Sequence, residues 1–429
     1  MREYFEINFD GLIGPSHNYG GLSFGNLASH QNSGLVSFPR QAALQGLNKM
    51  RRLMDLGLHQ GFLPPQRRPD TCFLRRLGFK GTDEEICVAA WAEDPALLVN
   101  AMSASAMWTA NAATVSPAPD TSDGRCHLTV ANLGTMPHRS MEWRETLDTL
   151  RHIFVDQRYF AVHDPVPACF GDEGAANHMR MAPQHGDPGI EILVFGERKA
   201  HGFPARQDRR ASQAIARLHG LDSQRTLLAR QSALAIEAGA FHNDVVAVAN
   251  EHVLIAHEQA FEDKESVYAF IREHVPGCVI IEVPADQVSL EDAVRSYLFN
   301  SQLVTLPAGA MALLVPTETQ ECEPVRQWLD RFVSDAGPVE RLEVIDVRES
   351  MRNGGGPACL RLRLQTDAAA MAAIDPRYLL DEGKWEGLHR LIEDRWPERI
   401  EAADLGRVET WQAMWSADAS IRKHLQLPC

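Results

Sequence analysis

Short apolar stretches alternate with helical segments along most of this chain, and the alternation leaves few folds open to it. Residues 127–132 and 244–250 are two such stretches, and both end in Val-Ala-Asn. Helical patterning follows Pro39, precedes Gly220 and resumes from Pro376 onward. Strands separated by helices are typical of α/β proteins. We therefore predict an α/β fold, with strands at residues 7–13, 127–132, 191–195, 244–250, 253–256, 279–283, 311–315, 342–347 and 359–364.

Three consecutive glycines interrupt this pattern in Ser-Met-Arg-Asn-Gly-Gly-Gly-Pro-Ala-Cys, residues 350–359. Such a run suits neither a helix interior nor a strand, but it allows the main chain to pass very close to another group. Pro357 stiffens the exit, and Cys359 begins the apolar alternation of the last predicted strand. Two interpretations stay open at this stage. Cys359 is either a nucleophile at the mouth of a strand or an ordinary buried cysteine beneath a tight turn.

Charge and cysteine content argue against several kinds of partner and compartment. The 429-residue chain is 45% hydrophobic and has a formal net charge of −15, so neither nucleic acid nor an anionic membrane is an expected partner. Its eight cysteines include no CxxC pair, which favours free thiols in a reducing compartment. The first residues lack an apolar signal core, and the longest apolar run, residues 310–316, is too short to cross a bilayer. We expect a cytoplasmic protein.

Histidine and carboxylate side chains stand near the predicted strand at 244–250. If the chain is extended there, His242 and Asp244 project to the same side and are placed for acid–base work and for binding a cation. Asp172 and Glu173 are adjacent and lie between glycines. Neighbouring residues of an extended chain point in opposite directions, so only one of the two is expected to enter a site. For each of these groups the alternative is an ordinary surface or turn residue.

Other polar residues are candidates for substrate binding. Arg139 and Arg206 each lie in a loop beside a proline, where a guanidinium either clamps an anion through two hydrogen bonds or is simply solvated. The glycine-rich loop at 14–26 can present backbone N–H groups to a ligand. Asn111 lies among small side chains and is by default a satisfied polar group. The sequence contains no zinc-site spacing, no P-loop and no dinucleotide fingerprint.

Five segments stand out together: 8–12, 17–26 (His-Asn-Tyr-Gly-Gly-Leu-Ser-Phe-Gly-Asn), 171–178, 241–245 and 348–360. They resemble the N-succinylarginine dihydrolase family of the guanidine-modifying (pentein) superfamily, and the resemblance runs from the first strand to about residue 415. It implies a five-bladed α/β propeller of ββαβ-type units with pseudo-fivefold symmetry. It further implies a single catalytic domain over residues 1–429 with a helical segment from about 376. A homodimer that needs no metal and no organic cofactor is also implied.

Position by position, the resemblance implies Cys359 as the nucleophile, His242 as the general acid/base and Glu173 as the third catalytic residue. In that scheme protonated His242 donates to departing ammonia and then, as a neutral base, activates water. Residues 31–39 correspond to a mobile lid. The residues that the resemblance places at the substrate are Gly20, Gly21, Leu22, Ser23, Phe24, Gly25, Asn26, Leu27, Ala28, Ser29, Asn111, His138, Arg139, Arg206, Asp244 and Asn353.

The implied reaction is hydrolysis of N2-succinyl-L-arginine to N2-succinyl-L-ornithine, two ammonia and carbon dioxide through a covalent thiol adduct, in the succinyltransferase route of arginine catabolism. Arg139 and Arg206 suit the anionic succinyl and carboxylate groups of that small-molecule substrate. Within the superfamily, the alternatives are an arginine deiminase and an amidinotransferase, which differ in the tail they bind and in the group that resolves the adduct. From another class, the alternative is a non-catalytic pentein that acts as a binding module. Such relatives lack the set formed by Cys359, His242 and Glu173.

Overall fold

A computed structural model describes residues 4–197, 202–334 and 337–427. Within these residues, fifteen β-strands form five sheets of three strands each. In order of pairing, the sheets are β15 (Arg361–Asp367), β1 (Tyr4–Gly11) and β2 (His59–Leu63); β3 (Ala113–Ser116), β4 (Cys126–Val130) and β5 (Phe160–His163); β6 (His178–Met181), β7 (Ile190–Phe195) and β8 (Thr226–Arg230); β9 (Ala247–Asn250), β10 (Val253–His257) and β11 (Val279–Val283); β12 (Gln302–Thr305), β13 (Met311–Pro316) and β14 (Val339–Ile345).

Every sheet combines one antiparallel and one parallel pair of strands. The parallel pairs are β1–β2, β4–β5, β7–β8, β10–β11 and β13–β14. A parallel connection requires a long crossover, and a helix lies between the two strands in each case, so the predicted α/β organisation is confirmed. The helices are α1 (Leu27–Gln31), α2 (Pro39–Asp55), α3 (Thr71–Arg76), α4 (Asp83–Glu93), α5 (Pro95–Ala101), α6 (Pro137–Ser140), α7 (Trp143–Ile153), α8 (Arg209–Leu218), α9 (Ala233–Glu237), α10 (Lys264–His274), α11 (Leu290–Ser296), α12 (Glu318–Glu321), α13 (Glu323–Ser334), α14 (Arg348–Asn353), α15 (Ala368–Met371), α16 (Glu382–Arg395) and α17 (Val408–His424).

The first sheet joins strands from opposite ends of the chain. β15 pairs antiparallel with β1, and β1 pairs parallel with β2. Phe9 of β1 and Leu362 of β15 stand opposite each other and belong to the largest hydrophobic core. On alternate positions, buried Asp10 stands opposite Arg361. Because successive side chains of a strand point to opposite faces, this sheet has one apolar face and one polar face.

Different sheets contact one another through a few of their strands. β15 contacts β3, and β9 contacts both β6 and β12. Arg363 of β15 strengthens this meeting point by donating to the carbonyl of Ala249 in β9 at 2.8 Å and to the carbonyl of Leu303 in β12. One arginine thus bonds three sheets together.

The strands predicted at 7–13, 127–132 and 342–347 are shifted by up to three residues, to Tyr4–Gly11, Cys126–Val130 and Val339–Ile345. Two further strands start later than predicted. β15 begins at Arg361 instead of Cys359, because residues 357–360 form a turn. Residues 243–245 form a 3₁₀ turn, and β9 begins only at Ala247. From residue 376 onward the chain is mainly helical, in α16 and α17. None of the helices in the described ranges is both long enough and apolar enough to cross a membrane.

Candidate active site

Cys359 lies in the turn between α14 and β15, and its side chain is buried. α14 ends at Asn353 and is capped by Gly354, whose φ of 118° favours glycine. A Cβ atom built on Gly355 would lie 2.3 Å from the indole Nε1 of Trp108, far inside van der Waals contact. The main chain therefore passes very close to a neighbouring side chain just before the thiol, as the glycine run predicts.

Asn300 is fully buried and binds Cys359 at two atoms. Its Nδ2 donates to the Cys359 Sγ at 3.1 Å, and its Oδ1 accepts from the Cys359 main-chain N–H at 3.2 Å. The carbonyl of Asn300 also accepts from the N–H of Ala358 at 2.9 Å. An N–H aimed at sulfur favours the thiolate. Reasoning from the sequence missed this residue, because a single asparagine 59 residues from Cys359 carries no pattern of its own.

Asp244 is the carboxylate beside the thiol. The Cys359 Sγ donates to Oδ2 of Asp244 at 3.6 Å, whereas the buried Oδ1 has no hydrogen-bond partner in the described chain. Burial raises the pKa of Asp244 to about 7. The extended conformation considered for this segment is not found. Instead, residues 243–245 form a turn, so that Asp244 contacts Cys359 whereas His242 contacts Glu173.

Glu173 joins His242 and Arg139 in a fully buried network. Its Oε2 accepts from Nη1 of Arg139 at 2.6 Å and lies 2.9 Å from Nε2 of His242. Burial raises the pKa of Glu173, but Arg139 and His242 together hold it well below its usual range. Asp172 instead accepts from Gln207 at 3.1 Å. Glu173 alone of the two adjacent carboxylates therefore contacts His242.

His242 is neutral in this site. Burial lowers its pKa to about 4, although Glu173 acts in the opposite sense. Its Nε2 faces Glu173, and its buried Nδ1 has no partner among the described residues, so Nδ1 is the atom left for a ligand. The resemblance implies that protonated His242 donates to the departing ammonia. Because the imidazole is neutral in the ligand-free site, that proton has to reach His242 after the substrate binds.

Arg206 is buried beside the glycine-rich loop. Its Nη2 donates to the carbonyl of Phe24 at 2.8 Å, and its guanidinium carbon lies 4.4 Å from the ring centroid of Phe241. Burial lowers its pKa to about 10, so the side chain stays charged at neutral pH. Its Nε has no hydrogen-bond partner in the part of the chain that the structure describes. Arg206 therefore offers a fixed cationic donor.

The loop at residues 20–29 reaches the turn before Cys359 through Asn26. Asn26 caps α1 and donates to the carbonyl of Gly354 at 2.8 Å. Not every loop residue faces the site, since Phe24 is 63% exposed and Leu27 is 41% exposed. Gly25 lies against Phe203, and Ala28 packs against the largest core. The predicted residues that line one small cavity together are Gly20, Gly21, Leu22, Ser23, Ser29, His138 and Asn353.

Asn111 acts on Glu173 through the main chain. Its Nδ2 donates to the Glu173 carbonyl at 2.7 Å, and the residue is buried at the end of a 3₁₀ turn. A buried amide that already has this partner fixes the backbone that carries Glu173. Asn111 is thus beside the site, as the resemblance implied, but the contact that the structure shows is to the protein.

The segment at 31–39, expected to be a lid, is anchored at one end. Ser37 is fully buried, and its main chain pairs with Ile400 through hydrogen bonds of 3.0 and 2.8 Å. Pro39 starts α2. Residues 33–36 are exposed, so this is the stretch with room to move. A lid at this position stays a prediction.

Several buried polar atoms around Cys359 and Glu173 have no hydrogen-bond partner within the described residues. They are His242 Nδ1, Asp244 Oδ1, Arg139 Nε and Nη2, Arg206 Nε and His138 Nδ1. Buried polar groups are normally paired, so this concentration indicates a site that a ligand completes. It combines a carboxylate oxygen with guanidinium donors, which suits a ligand with a cation at one end and anions at the other. Nowhere in the described ranges do three or more His, Cys, Asp or Glu side chains form a group that could hold a metal ion.

The thiol of Cys359 is protonated in the ligand-free site. Burial and the charge of Asp244 raise the pKa of the Cys359 thiol well above its ordinary value, although the hydrogen bond from Asn300 acts in the opposite direction. Because only the thiolate is alkylated, we expect iodoacetamide to modify Cys359 slowly at pH 7, with a rate that rises about tenfold per pH unit beyond pH 9. The measurement is mass spectrometry of the Cys359 peptide in a Cys72→Ser/Cys169→Ser background, which removes two exposed thiols. A rate that levels off below pH 8 would contradict the prediction.

The chain matches known proteins over almost its whole length. A family model described as succinylarginine dihydrolase (AstB) matches residues 3–429. The chain is similar to the N-succinylarginine dihydrolase of Rhizorhabdus wittichii, with 58% identity over 418 residues and 97% of each chain covered. It is also similar to that of Novosphingobium aromaticivorans (56% over 428 residues, 98% of each chain) and that of Pseudomonas aeruginosa (48% over 413 residues, 93% of this chain and 92% of that one).

Solved structures at low sequence identity share the fold. An arginine dihydrolase from the ornithine–ammonia cycle in cyanobacteria is similar with a TM-score of 0.52 and 15% identity, over 88% of this chain and 42% of that one. Its N-terminal domain, solved with bound substrate, gives a TM-score of 0.51 and 14% identity, over 83% of this chain and 97% of that one.

Proposed function

The chain belongs to the succinylarginine dihydrolase family, and on that premise we propose that Cys359, His242 and Glu173 carry out the hydrolysis of N2-succinyl-L-arginine. The products are N2-succinyl-L-ornithine, two ammonia and carbon dioxide, and the step belongs to the succinyltransferase route of arginine catabolism. The observation that carries the assignment of the site is the set of buried, unpartnered polar atoms around Cys359 and Glu173. Family membership favours the succinylated substrate over an arginine deiminase, an amidinotransferase or a binding module.

Asp244 is the residue that receives the guanidinium. A planar guanidinium binds a carboxylate through parallel hydrogen bonds, and the free Oδ1 of Asp244 lies on the carboxylate that contacts the Cys359 Sγ. A guanidinium bound there has its carbon near sulfur, which removes much of the entropic barrier to attack. The bound cation also favours the ionised forms of Asp244 and Cys359. Substrate binding thus lowers the thiol pKa that burial has raised.

The proton that the departing ammonia receives in the first step comes from the thiol of Cys359. As Sγ attacks the guanidinium carbon, its proton passes to His242, whose cation Glu173 stabilises. His242 then gives this proton to the amino group, and the C–N bond breaks to release ammonia. Neutral His242 next takes a proton from water while the water oxygen attacks the carbon and the C–S bond breaks. One proton from the cationic substrate is left over, and released ammonia takes it up as ammonium.

A second round acts on the ureido group that the first round leaves. Cys359 attacks the carbon again, a second ammonia leaves, and a second water releases carbon dioxide and N2-succinyl-L-ornithine. Throughout both rounds the tail has to stay bound. We assign its anionic groups to Arg206, His138 and the free Nε and Nη2 of Arg139, because cationic and neutral N–H donors match carboxylates.

The decisive experiment counts ammonia. We expect the protein to release two equivalents of ammonia for each N2-succinyl-L-arginine consumed, and to leave free arginine essentially untouched. One equivalent of ammonia per substrate would identify a deiminase. Preference for free arginine would contradict the assignment of Arg206 to the anionic tail of the substrate. Binding of N2-succinyl-L-arginine without any turnover would identify a binding module.

Asn300 is expected to position the nucleophile. Asn300→Ala removes the N–H that favours the thiolate, so kcat should fall about 100-fold with little change in KM, and the alkylation profile of Cys359 should move to higher pH. Steady-state kinetics and the iodoacetamide assay measure the two effects. The control is Asn250→Ala, another buried asparagine, which bonds to Glu6 and should leave the alkylation profile in place. An unchanged profile in Asn300→Ala would show that the residue is merely structural.

We also propose that the five sheets close into a five-bladed propeller that forms one domain over the chain. Each sheet has the strand order and crossover of a ββαβ unit, and contacts join β15 to β3, β6 to β9 and β9 to β12. The pairing of β15 with β1 supplies the closing sheet from both ends of the chain. A single cooperative transition in calorimetry is the expected result, and two separate transitions would argue for independent domains.

A cytoplasmic homodimer is part of the same proposal. The seven cysteines of the described ranges are free, and Cys72 and Cys169 among them are exposed, which suits a reducing compartment. The dimer follows from the family resemblance. Sedimentation equilibrium should give twice the chain mass of 47.7 kDa, whereas a monomer mass would contradict the dimer.

A further inference from the structure

A cavity of about 80 Å³ lies next to the reacting groups, and Asp244 is the one residue of its wall to which the proposed function gives a role. Asp244 and Ala358, the two neighbours of the nucleophile, are among its lining residues. Arg361, Arg363 and Gln365 of β15 line it as well, and they are alternate residues that point to one side of the strand. From the first to the last of these three residues the cavity follows β15 for roughly 13 Å.

This cavity is separate from the side on which the loop at 20–29 lies. The small cavity that this loop shares with His138 and Asn353 has no lining residue in common with it. Neither His242 nor Glu173 lines it. Asp244 is therefore the catalytic group that both contacts the Cys359 thiol and lines this cavity.

The wall of the cavity has unmet hydrogen-bonding capacity. Arg361 makes no side-chain hydrogen bond and no ion pair within the described residues, and its Nε is buried. Oδ1 of Asp244 is likewise buried and unpartnered in that part of the chain. Polar cavities with such groups hold ordered water, and at about 15 Å³ for each water this one takes roughly five. Much of the remaining wall is small and apolar, from Ala110, Ala175, Ala247, Ala249 and Ala358.

The reaction requires water and ammonia to exchange while an organic intermediate stays in place. This inference rests on the proposed function, in which each turnover consumes two waters and releases two ammonia. Between the two rounds the ureido intermediate is held by its tail on the side of Arg206 and His138. Water that approaches from that side has to pass the tail, whereas the cavity reaches the reaction centre from the side of Asp244 and Ala358.

We propose that this cavity is an internal water compartment that supplies both hydrolytic waters and receives the ammonia, so that both rounds finish before the ureido intermediate leaves. Its volume is sufficient, since roughly five waters exceed the two that one turnover consumes. Its arginines repel ammonium, so ammonia enters it as the neutral molecule and is protonated after leaving. In each round an O–H bond of a compartment water breaks, the proton goes to His242, and the oxygen bonds to the carbon as the C–S bond breaks.

The test fills the compartment from β9, with a residue that the proposed function does not use. Ala249→Leu adds three carbons to a residue that lines the cavity. We expect kcat to fall about fivefold or more with KM nearly unchanged, the covalent thiol adduct to accumulate, and free ureido product to appear. Quenched-flow mass spectrometry of the protein and chromatography of the products measure these changes. Ammonia released per substrate should fall below two.

The control is Ala256→Leu, which enlarges another buried alanine of the same sheet that does not line the cavity. This variant carries comparable packing strain and should still release two ammonia per substrate. A folded Ala249→Leu protein with the parent kcat and two ammonia overturns the compartment. If the unmodified protein itself fails to release two ammonia, it is the proposed function that is wrong.

A second measurement keeps the inference testable if Ala249→Leu does not fold. A high-resolution crystal structure of the unmodified protein with the substrate tail and guanidinium sites occupied by an unreactive analogue should show ordered waters in the cavity, one of them bound to Nε of Arg361. A cavity without water, or one closed by the side chains of Asp244 and Arg361, would overturn the proposal.

Discussion

Replacing Cys359 by serine is expected to lower kcat for N2-succinyl-L-arginine by about 10⁴-fold or more. A hydroxyl is a weak nucleophile without a strong base beside it, and no thiol proton is then available for His242 to pass to ammonia. Asn300 can donate to the new Oγ as it does to Sγ, so the fold should persist. Ammonia release, intact-protein mass after a quench and the melting temperature together measure the effect.

The matched control for this prediction is Cys322→Ser. Cys322 is also a buried free thiol, but it lies between α12 and α13 and contacts Asp292 and Arg295 instead of the site. It should retain nearly the parent kcat and should still form the adduct. Activity of Cys359→Ser within tenfold of the parent would rule out Cys359 as the nucleophile.

Replacing Asp244 by asparagine should change thiol reactivity and substrate binding in opposite directions. The Asp244 charge raises the pKa of Cys359, so its removal moves the pKa back towards the ordinary value and enlarges the thiolate fraction at pH 8. One unit of pKa corresponds to about tenfold faster alkylation. At the same time the guanidinium loses its charged partner, and KM should rise about 100-fold. Alkylation kinetics and steady-state assays on the same protein measure both.

Asp172→Asn is the control for this pair of effects. Burial also raises the pKa of Asp172 to about 7, but this carboxylate accepts from Gln207 and does not contact Cys359. Its replacement should leave the alkylation rate of Cys359 unchanged. Slower alkylation together with weaker binding in Asp244→Asn would mean that the residue only supports the fold.

Nine of the fifteen described strands could be predicted from the sequence, and the six that were missed are all only four or five residues long. β7, β10, β11 and β13 are mainly apolar and were predicted close to their observed bounds. The missed strands are β2, β3, β5, β6, β8 and β12. In β2 and β12, Gln60 and Gln302 are buried polar residues that interrupt any apolar alternation. A strand that turns one face to a polar interior does not show the pattern of a strand that faces only a hydrophobic core.

The candidate site was likewise predicted from the sequence only in part. The segments that carry Cys359, His242 and Glu173 were identified through their resemblance to one family, and the fold then brings Glu173 against His242. Asn300 escaped because its role arises from a contact between distant parts of the chain. The neutral state of His242 also escaped, because it depends on burial that no local motif reveals.

The pairing of β15 with β1 makes the sheet that follows Cys359 a long-range contact. Asp10 and Arg361 stand opposite each other in these two strands, although the other four sheets lie between them in sequence. Contacts between residues so far apart in sequence form slowly during folding. The turn that holds Cys359 is therefore expected to reach its final geometry only when both strands have met, which couples the environment of this thiol to completion of the fold.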